Sequence, residues 1–253
     1  MEHFNLLTTT NVIAADNYVA FTFFIGTMAM MAASVFFFFE LGNTSKSWRT
    51  SVLVSGIITF IAAVHYYYMR GYNLETINSE TGIGESPVFF RYVDWLLTVP
   101  LMCVEFYLIT KKAGAKVGLL WKLILASVVM LVTGYWGEAG GENGQTHPQA
   151  AFWGLVSGAA YFWIVWMVWK GEVAQLSKAS SPAVQKAIDS LLKFVVIGWG
   201  IYPLGYLVGT ADGQWYEFCK NWNLNMDIIY NIGDAVNKIG FGLVVYALSR
   251  SED

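Results

Sequence analysis

Seven runs of mostly apolar residues, each about as long as one membrane crossing, follow one another along this chain with only short polar gaps between them. A helix needs about 20 such residues to cross a hydrocarbon core of about 30 Å. The runs cover 18–41, 48–70, 87–109, 117–136, 151–169, 182–208 and 224–248, and are taken as spans one to seven. The gaps at 42–45, 73–86, 111–114, 140–147, 171–181 and 210–223 are polar or turn-rich. Composition agrees: 56% of the 253 residues are hydrophobic and 13% charged, against roughly 25% charged in soluble domains. A soluble protein of this length could not hide so much apolar surface, whereas a bilayer removes the need. The expected fold is an all-α membrane protein, one seven-transmembrane-helix bundle over 1–253, with no internal repeat, low-complexity tract or long linker.

Charge predicts the orientation, because Lys and Arg accumulate in cytoplasmic loops. Lys46 and Arg49 flank the first gap, Lys111, Lys112, Lys116 and Lys122 the third, and Lys170, Lys178 and Lys186 the fifth. The alternate gaps are acidic, with Glu75, Glu80 and Glu85, then Glu138 and Glu142, then Asp212 and Glu217; Arg70 and Lys220 are the basic exceptions. This places the N-terminus outside and the C-terminus in the cytoplasm of a multi-pass protein of the cell inner membrane. A net charge of −3 argues against a nucleic-acid partner, which needs concentrated Lys and Arg. Residues 1–16 lack the cationic start and cleavage site of a secretory signal and are expected to form a short N-terminus. Cys103 falls within a span and Cys219 in a gap, so they are not expected to pair, and neither has metal-ligand spacing around it.

Ionisable residues within spans are costly, a few kcal/mol each, and point to function. Span three carries Arg91, Asp94 and Glu105; span seven carries Asp234 and Lys238; span two carries His65. Asp94 and Thr98 are about one turn apart on one face. Glu105 lies eleven residues beyond Asp94, returning to within roughly 20° of its direction at a rise of about 16 Å. Arg91 joins the same stripe. Lys238 lies fourteen residues after Leu224 and ten before Leu248, near mid-membrane. A solitary lysine at that depth is driven to lose its proton, and it stays charged only if carboxylates face it. Asp94 and Asp234 are the candidates. One buried Asp–Lys pair also fits a structural ion pair, and His65 alone fits a satisfied interhelical hydrogen bond. The whole set, on two faces that can meet in one bundle, is not explained that way.

These residues carry a resemblance. Arg91-Tyr92-Val93-Asp94-Trp95-Leu96-Leu97-Thr98-Val99-Pro100, continued by Cys103-Val104-Glu105-Phe106-Tyr107, resembles the counterion helix of microbial (type 1) rhodopsins, and of the proteorhodopsin subgroup in particular. Asp234-Ala235-Val236-Asn237-Lys238 is similar to the family's retinal-attachment segment, and Trp199-Gly200-Ile201-Tyr202-Pro203 to its aromatic clamp. His65–Arg70 and Gly134–Gly140 match its second and fourth helices, so the likeness covers nearly the whole chain.

The resemblance implies all-trans retinal bound to Lys238 as a protonated Schiff base. Asp94 would be the proton acceptor and counterion, Asp234 the second counterion, Glu105 the cytoplasmic donor and Arg91 a group on the release side. His65 would hydrogen-bond Asp94. Trp95, Thr98, Met102, Met130, Gly134, Trp199, Tyr202 and Pro203 would line the polyene, although ordinary core packing would also account for such side chains. With the donor inside and the acceptor outside, transport of protons is outward. Burial of Glu105 among apolar residues favours the neutral acid that a donor needs. Acidic groups at both ends of the Asp94, Thr98, Glu105 triplet favour protons over sodium or chloride, and Met102 at a colour-tuning position implies green absorption. Phe24 departs from relatives with a tryptophan there, which puts intersubunit coupling through His65 in doubt. The partners implied are membrane lipid and protons. Gly and Ser on spans four to six are compatible with a monomer or with a homo-oligomer, a pentamer or hexamer ring. Whether an antenna carotenoid binds and what Glu138 does are left open.

Two other functions compete. A retinal-based light sensor without net transport would use the same fold, but has no need for the protonatable Glu105. A chromophore-free seven-helix receptor or transporter leaves Lys238 and the carboxylate stripe without a purpose, and the inverted repeats and broken helices of transporters are not evident. The chain carries no metal or nucleophile constellation of an enzyme.

Overall fold

A computed structural model describes residues 16–78 and 84–252; Glu80 and most of the N-terminal segment lie outside the described residues. The described chain is helical, without β-strand. Its helices are α1 (Tyr18–Glu40), α2 (Arg49–Glu75), α3 (Val88–Thr110), α4 (Val117–Ala139), α5 (Ala150–Trp169), α6 (Glu172–Lys178), α7 (Pro182–Lys193), α8 (Ile201–Gly209) and α9 (Met226–Ser251). Seven stretches are long and apolar enough to cross a membrane: α1 to α4 and α9 each supply one, α5 with α6 the fifth, α7 with α8 the sixth. Neighbours in sequence pack side by side, and α9 closes the bundle against α1, α2 and α7.

Local chemistry sets the helix starts. The side chain of Asn17 accepts from the Ala20 amide at 2.9 Å, and Asn225 from the Ile228 amide at 3.2 Å. Ser181 accepts from the Val184 amide, with Pro182 in the first turn. Each removes one unpaired donor from a helix N-terminus. Cys103 and Cys219 are both free and buried, as their expected depths require.

Three elements differ from the sequence reading. The second span continues past Arg70 to Glu75, because the polar residues beyond it find partners: Tyr72 Oη donates to Glu85 at 2.8 Å and Asn73 Nδ2 to the Glu85 carbonyl at 3.1 Å. The fifth gap, read as a loop, contains α6, tied to α4 by a Lys122–Glu172 pair at 3.0 Å. The sixth span is not one regular helix: a π-turn at Phe194–Gly198 separates α7 from α8.

In lipid every backbone group needs a partner within the protein, and a π-turn disturbs the regular ladder. Here the carbonyls are taken by side chains. Tyr161 Oη, from α5, donates to the Val195 oxygen at 2.9 Å and the Val196 oxygen at 3.3 Å, while Asn237 Nδ2, from α9, donates to the Gly198 oxygen at 3.0 Å. The turn thereby sets the rotation of Trp199 and Tyr202 about the helix axis. A second fitted contact is Tyr206 against Gly154, where a Cβ would lie 2.4 Å from the ring; the phenol donates to the Ala150 carbonyl at 2.7 Å.

Tyr161→Phe should therefore destabilise the protein by about 1–3 kcal/mol, the cost of leaving a buried carbonyl unpaired. Thermal unfolding in detergent, followed by circular dichroism, reads this. An unchanged midpoint would show that the hydroxyl does not support the π-turn.

Candidate functional site

The interior charges meet. Lys238 Nζ on α9 lies 2.9 Å from Asp94 Oδ2 on α3 and 3.0 Å from Asp234 Oδ2 one turn back on its own helix. Lys238 is 3% exposed and both aspartates 0%, so all three charges have left water. The two carboxylates are held differently. Asp234 accepts from Tyr66 Oη at 2.8 Å, Tyr202 Oη at 2.5 Å and Trp95 Nε1 at 3.1–3.2 Å. Asp94 Oδ1 has no hydrogen-bond partner in the protein, and Thr98 donates to the Asp94 backbone oxygen at 2.8 Å, leaving the carboxylate untouched.

Towards the start of α3, Arg91 is buried. It donates to Asp227 Oδ1 at 2.8 Å and Asn231 Oδ1 at 3.2 Å, both on α9, and its guanidinium faces the rings of Tyr230 and Phe23 at 5.0 and 5.5 Å. Ser86 donates to the same Asp227 oxygen at 2.7 Å. Glu138 at the end of α4 accepts from Tyr92 Oη at 2.8 Å. Towards the other end of α3, Glu105 is fully buried, with neither carboxyl oxygen hydrogen-bonded to protein.

His65 does not make the hydrogen bond expected of it. Its Nδ1 lies 2.9 Å from the Ile61 carbonyl of its own helix, which requires the proton on Nδ1, and no hydrogen bond joins it to Asp94 in this structure. It is half-buried. Phe24, noted as a departure, instead lies under the Arg70 guanidinium at 5.8 Å.

Beside this cluster is a cavity of about 510 Å³. Of the eight residues expected to line a polyene, Trp95, Met130, Trp199, Tyr202 and Pro203 do so. Thr98 and Met102 are buried further along α3 and do not line it, and Gly134 stands behind Ser157 and Tyr92, each 3.2 Å from where its Cβ would be. Trp95 and Tyr202, rings 4.8 Å apart, line the cavity and reach Asp234 with their polar atoms, so the cavity ends where the Lys238 cluster begins.

The sequence reading did not find Tyr66, Asp227 and Asn231 as partners of the charges, or Tyr161, Ser157 and Gly154 as cavity wall. Tyr66 follows His65 and was visible only as part of a motif; a mid-span tyrosine carries no signal that a carboxylate faces it. Gly154, Ser157 and Gly158 were visible as small residues on span five, a pattern that helix packing also produces.

Residues 17–251 match a family model described as bacteriorhodopsin-like protein. The chain is 42% identical over 240 residues to the green-light absorbing proteorhodopsin of gamma-proteobacterium EBAC31A08, covering 94% of this chain and 89% of that one. It is 41% identical to the blue-light absorbing proteorhodopsin of gamma-proteobacterium Hot 75m4, covering 92% and 87%. Among solved structures, the blue light-absorbing proteorhodopsin from Med12 superposes with a TM-score of 0.71 at 35% identity, over 94% of this chain and all of that one. A seven-span bundle with a buried lysine between two aspartates thus agrees with sequence relatedness along almost the whole length, and the chain belongs to the bacteriorhodopsin-like family as a microbial rhodopsin of the proteorhodopsin type.

Proposed function

We propose that this protein is a light-driven outward proton pump that carries all-trans retinal on Lys238 as a protonated Schiff base. The observation that carries the reading is the unequal pair of carboxylates about Lys238 Nζ. Asp234 accepts from three side-chain donors besides the lysine, and Asp94 keeps one oxygen without a partner. The residues present fit the group. The cavity of about 510 Å³ falls within the roughly 300–1,000 Å³ of small-molecule sites, its wall is largely aromatic and aliphatic, and it adjoins the only buried amine among the described residues. When bound, retinal supplies light absorption and an isomerisation that lowers the proton affinity of the nitrogen.

The side chains then divide the work. Asp94, with a free oxygen and 2.9 Å from Nζ, takes the proton from nitrogen. Asp234 holds its negative charge throughout, because a carboxylate fixed by three donors is already solvated by the protein. Glu105 gives its proton back to the nitrogen and is refilled from the cytoplasm, and Asp94 releases its own past Arg91 and Asp227. Under the charge-rule orientation the N-terminus is outside, so the acceptor faces out, the donor faces in, and one proton moves outward per cycle. Basic loops on the side of the C-terminus support a place in the cell inner (cytoplasmic) membrane. Met102 in place of a polar residue supports green absorption.

Three substitutions separate the roles. Lys238→Ala should leave retinal-treated protein colourless; visible absorption retained by that variant would exclude the attachment site. Asp94→Asn should shift absorption to the red, since the positive nitrogen loses its counter-charge, and should abolish acidification of the medium. Glu105→Gln should keep the colour and slow reprotonation of the nitrogen by about 10²-fold, the low end of what a positioned acid contributes; wild-type decay would refute the donor role.

The activity itself is read as the pH of an unbuffered suspension of retinal-fed cells under green light. Acidification abolished by a protonophore is the expected result. Coloured cells without a pH change would instead identify a sensor or a pump for another ion.

A further inference from the structure

Four buried polar atoms near the shared end of α2 and α3 have no hydrogen-bond partner in the protein: both carboxyl oxygens of Glu105, Ser55 Oγ and Trp48 Nε1. Orphaned groups of this kind are rare in folded proteins and each needs an explanation, most simply an ordered water. Those of Glu105 and Ser55 face one another, and Trp48 lies on the same face of α2 as Ser55. Trp48, Ser51 and Ser55 fall at i, i+3 and i+7 and face one way from α2; all are at most 3% exposed. The Ser51 and Ser55 side chains sit beside the Glu105 carboxyl. Ser55 also packs on α9, where a Cβ on Gly242 would come within 3.2 Å of it.

Lys112 lies seven residues beyond Glu105, in the 3₁₀ turn that follows α3. Its ammonium stands 5.1 Å from the centroid of the Trp48 ring. Lys112 is exposed, and Trp48 beneath it is 2% exposed. The indole, one turn before Ser51 on the same face and at the end of α2, therefore lies on the solvent side of Ser51 and Ser55, and its own N–H is buried without a partner.

We propose that Trp48 caps a small water-holding pocket, formed by Ser51, Ser55 and Glu105, through which Glu105 takes up protons from the cytoplasm. Two or three polar partners for a bound water are what such a site requires, and the serine hydroxyls and indole N–H supply donors where the carboxyl supplies acceptors. The Lys112 contact holds the cap closed. Uptake then needs the ring to move, and the Lys112 ammonium is the force opposing that motion. The inference rests on Glu105 being the donor.

Hydrogen–deuterium exchange of the Glu105 carboxyl, followed in the dark through its infrared carbonyl stretch after transfer to D₂O, reads access to the pocket directly. The band missing in Glu105→Gln identifies it. Trp48→Ala should speed exchange by about tenfold, or about 1.4 kcal/mol of barrier. Trp48→Phe, which keeps a ring under Lys112, should stay close to wild type. Lys112→Ala leaves the core intact and should speed exchange about threefold, in line with the 0.5–1 kcal/mol of an exposed cation–π contact. Wild-type exchange in Lys112→Ala together with wild-type exchange in Trp48→Ala, or in Lys112→Ala alone if Trp48→Ala does not fold, overturns the cap. Flash photolysis of Glu105→Gln distinguishes the two levels. Slowed reprotonation there with unchanged exchange in the cap variants removes the pocket and leaves the pump, whereas normal reprotonation removes the donor and the pocket with it.

Discussion

Everything inside the bundle is arranged around one lysine held between two aspartates, all three buried away from the protein surface. The Lys238, Asp94 and Asp234 charges sum to −1, and burying ions is costly unless the geometry and the surrounding hydrogen bonds compensate. The compensation comes from three other helices. Tyr66 on α2, Trp95 on α3 and Tyr202 on α8 all donate to Asp234 on α9. Removing one partner of such a cluster typically costs about 3–5 kcal/mol, because the others are left as uncompensated buried charges. The cluster is thus a specification of helix positions as much as a source of energy. Its contacts constrain the rotation of α2, α3, α8 and α9 together.

That dependence explains the irregular sixth span. A regular helix from Pro182 to Gly209 would rotate Trp199 and Tyr202 relative to α7, and Tyr202 would lose its 2.5 Å contact with Asp234. The π-turn absorbs the rotation, at the cost of carbonyls that Tyr161 and Asn237 must satisfy. Asn237 is the residue before Lys238, so the element that carries the lysine also secures the turn that aims the tyrosine.

The spans were legible because hydropathy needs no tertiary information: a long apolar run with few charges has one inexpensive solution in a bilayer. The charged site residues were legible for the converse reason, since Asp94, Glu105, Asp234 and Lys238 stand out against an apolar background that penalises them. What remained hidden is what depends on facing. Tyr66 looks like any core aromatic until Asp234 is placed opposite. The expected His65–Asp94 bond failed because a histidine can turn to the carbonyl one turn back, a choice helix spacing does not decide. The π-turn and α6 were missed for a third reason. Apolar composition is nearly indifferent to whether a turn closes at four or five residues, and the polar stretch 171–181 reads as a loop although it forms a helix pinned by Lys122 and Glu172.

The two halves of the bundle are unlike, and the difference bears on direction. Beyond the lysine towards the start of α3 lies a continuous hydrogen-bonded set: Arg91 with Asp227 and Asn231, Ser86 on Asp227, and Asn231 donating to Thr22. Towards the other end, buried Val99 and Met102 stand on α3 between Asp94 and Glu105, Phe106 packs on Phe241 beside Glu105 with centroids 5.7 Å apart, and Glu105, Ser55 and Trp48 carry unpartnered atoms. Asp94 thus has a hydrogen-bonded polar set on one side, not joined to it by a hydrogen bond, and an apolar section on the other. On the pumping reading, release runs through groups already in place, while reprotonation waits for water to bridge the apolar section between Glu105 and Lys238. Backflow would have to cross that same dry section while Lys238 still faces Asp94. On that reading the unlike halves, hydrogen-bonded around Arg91 on one side and apolar on the other, supply the asymmetry that one-way transport needs.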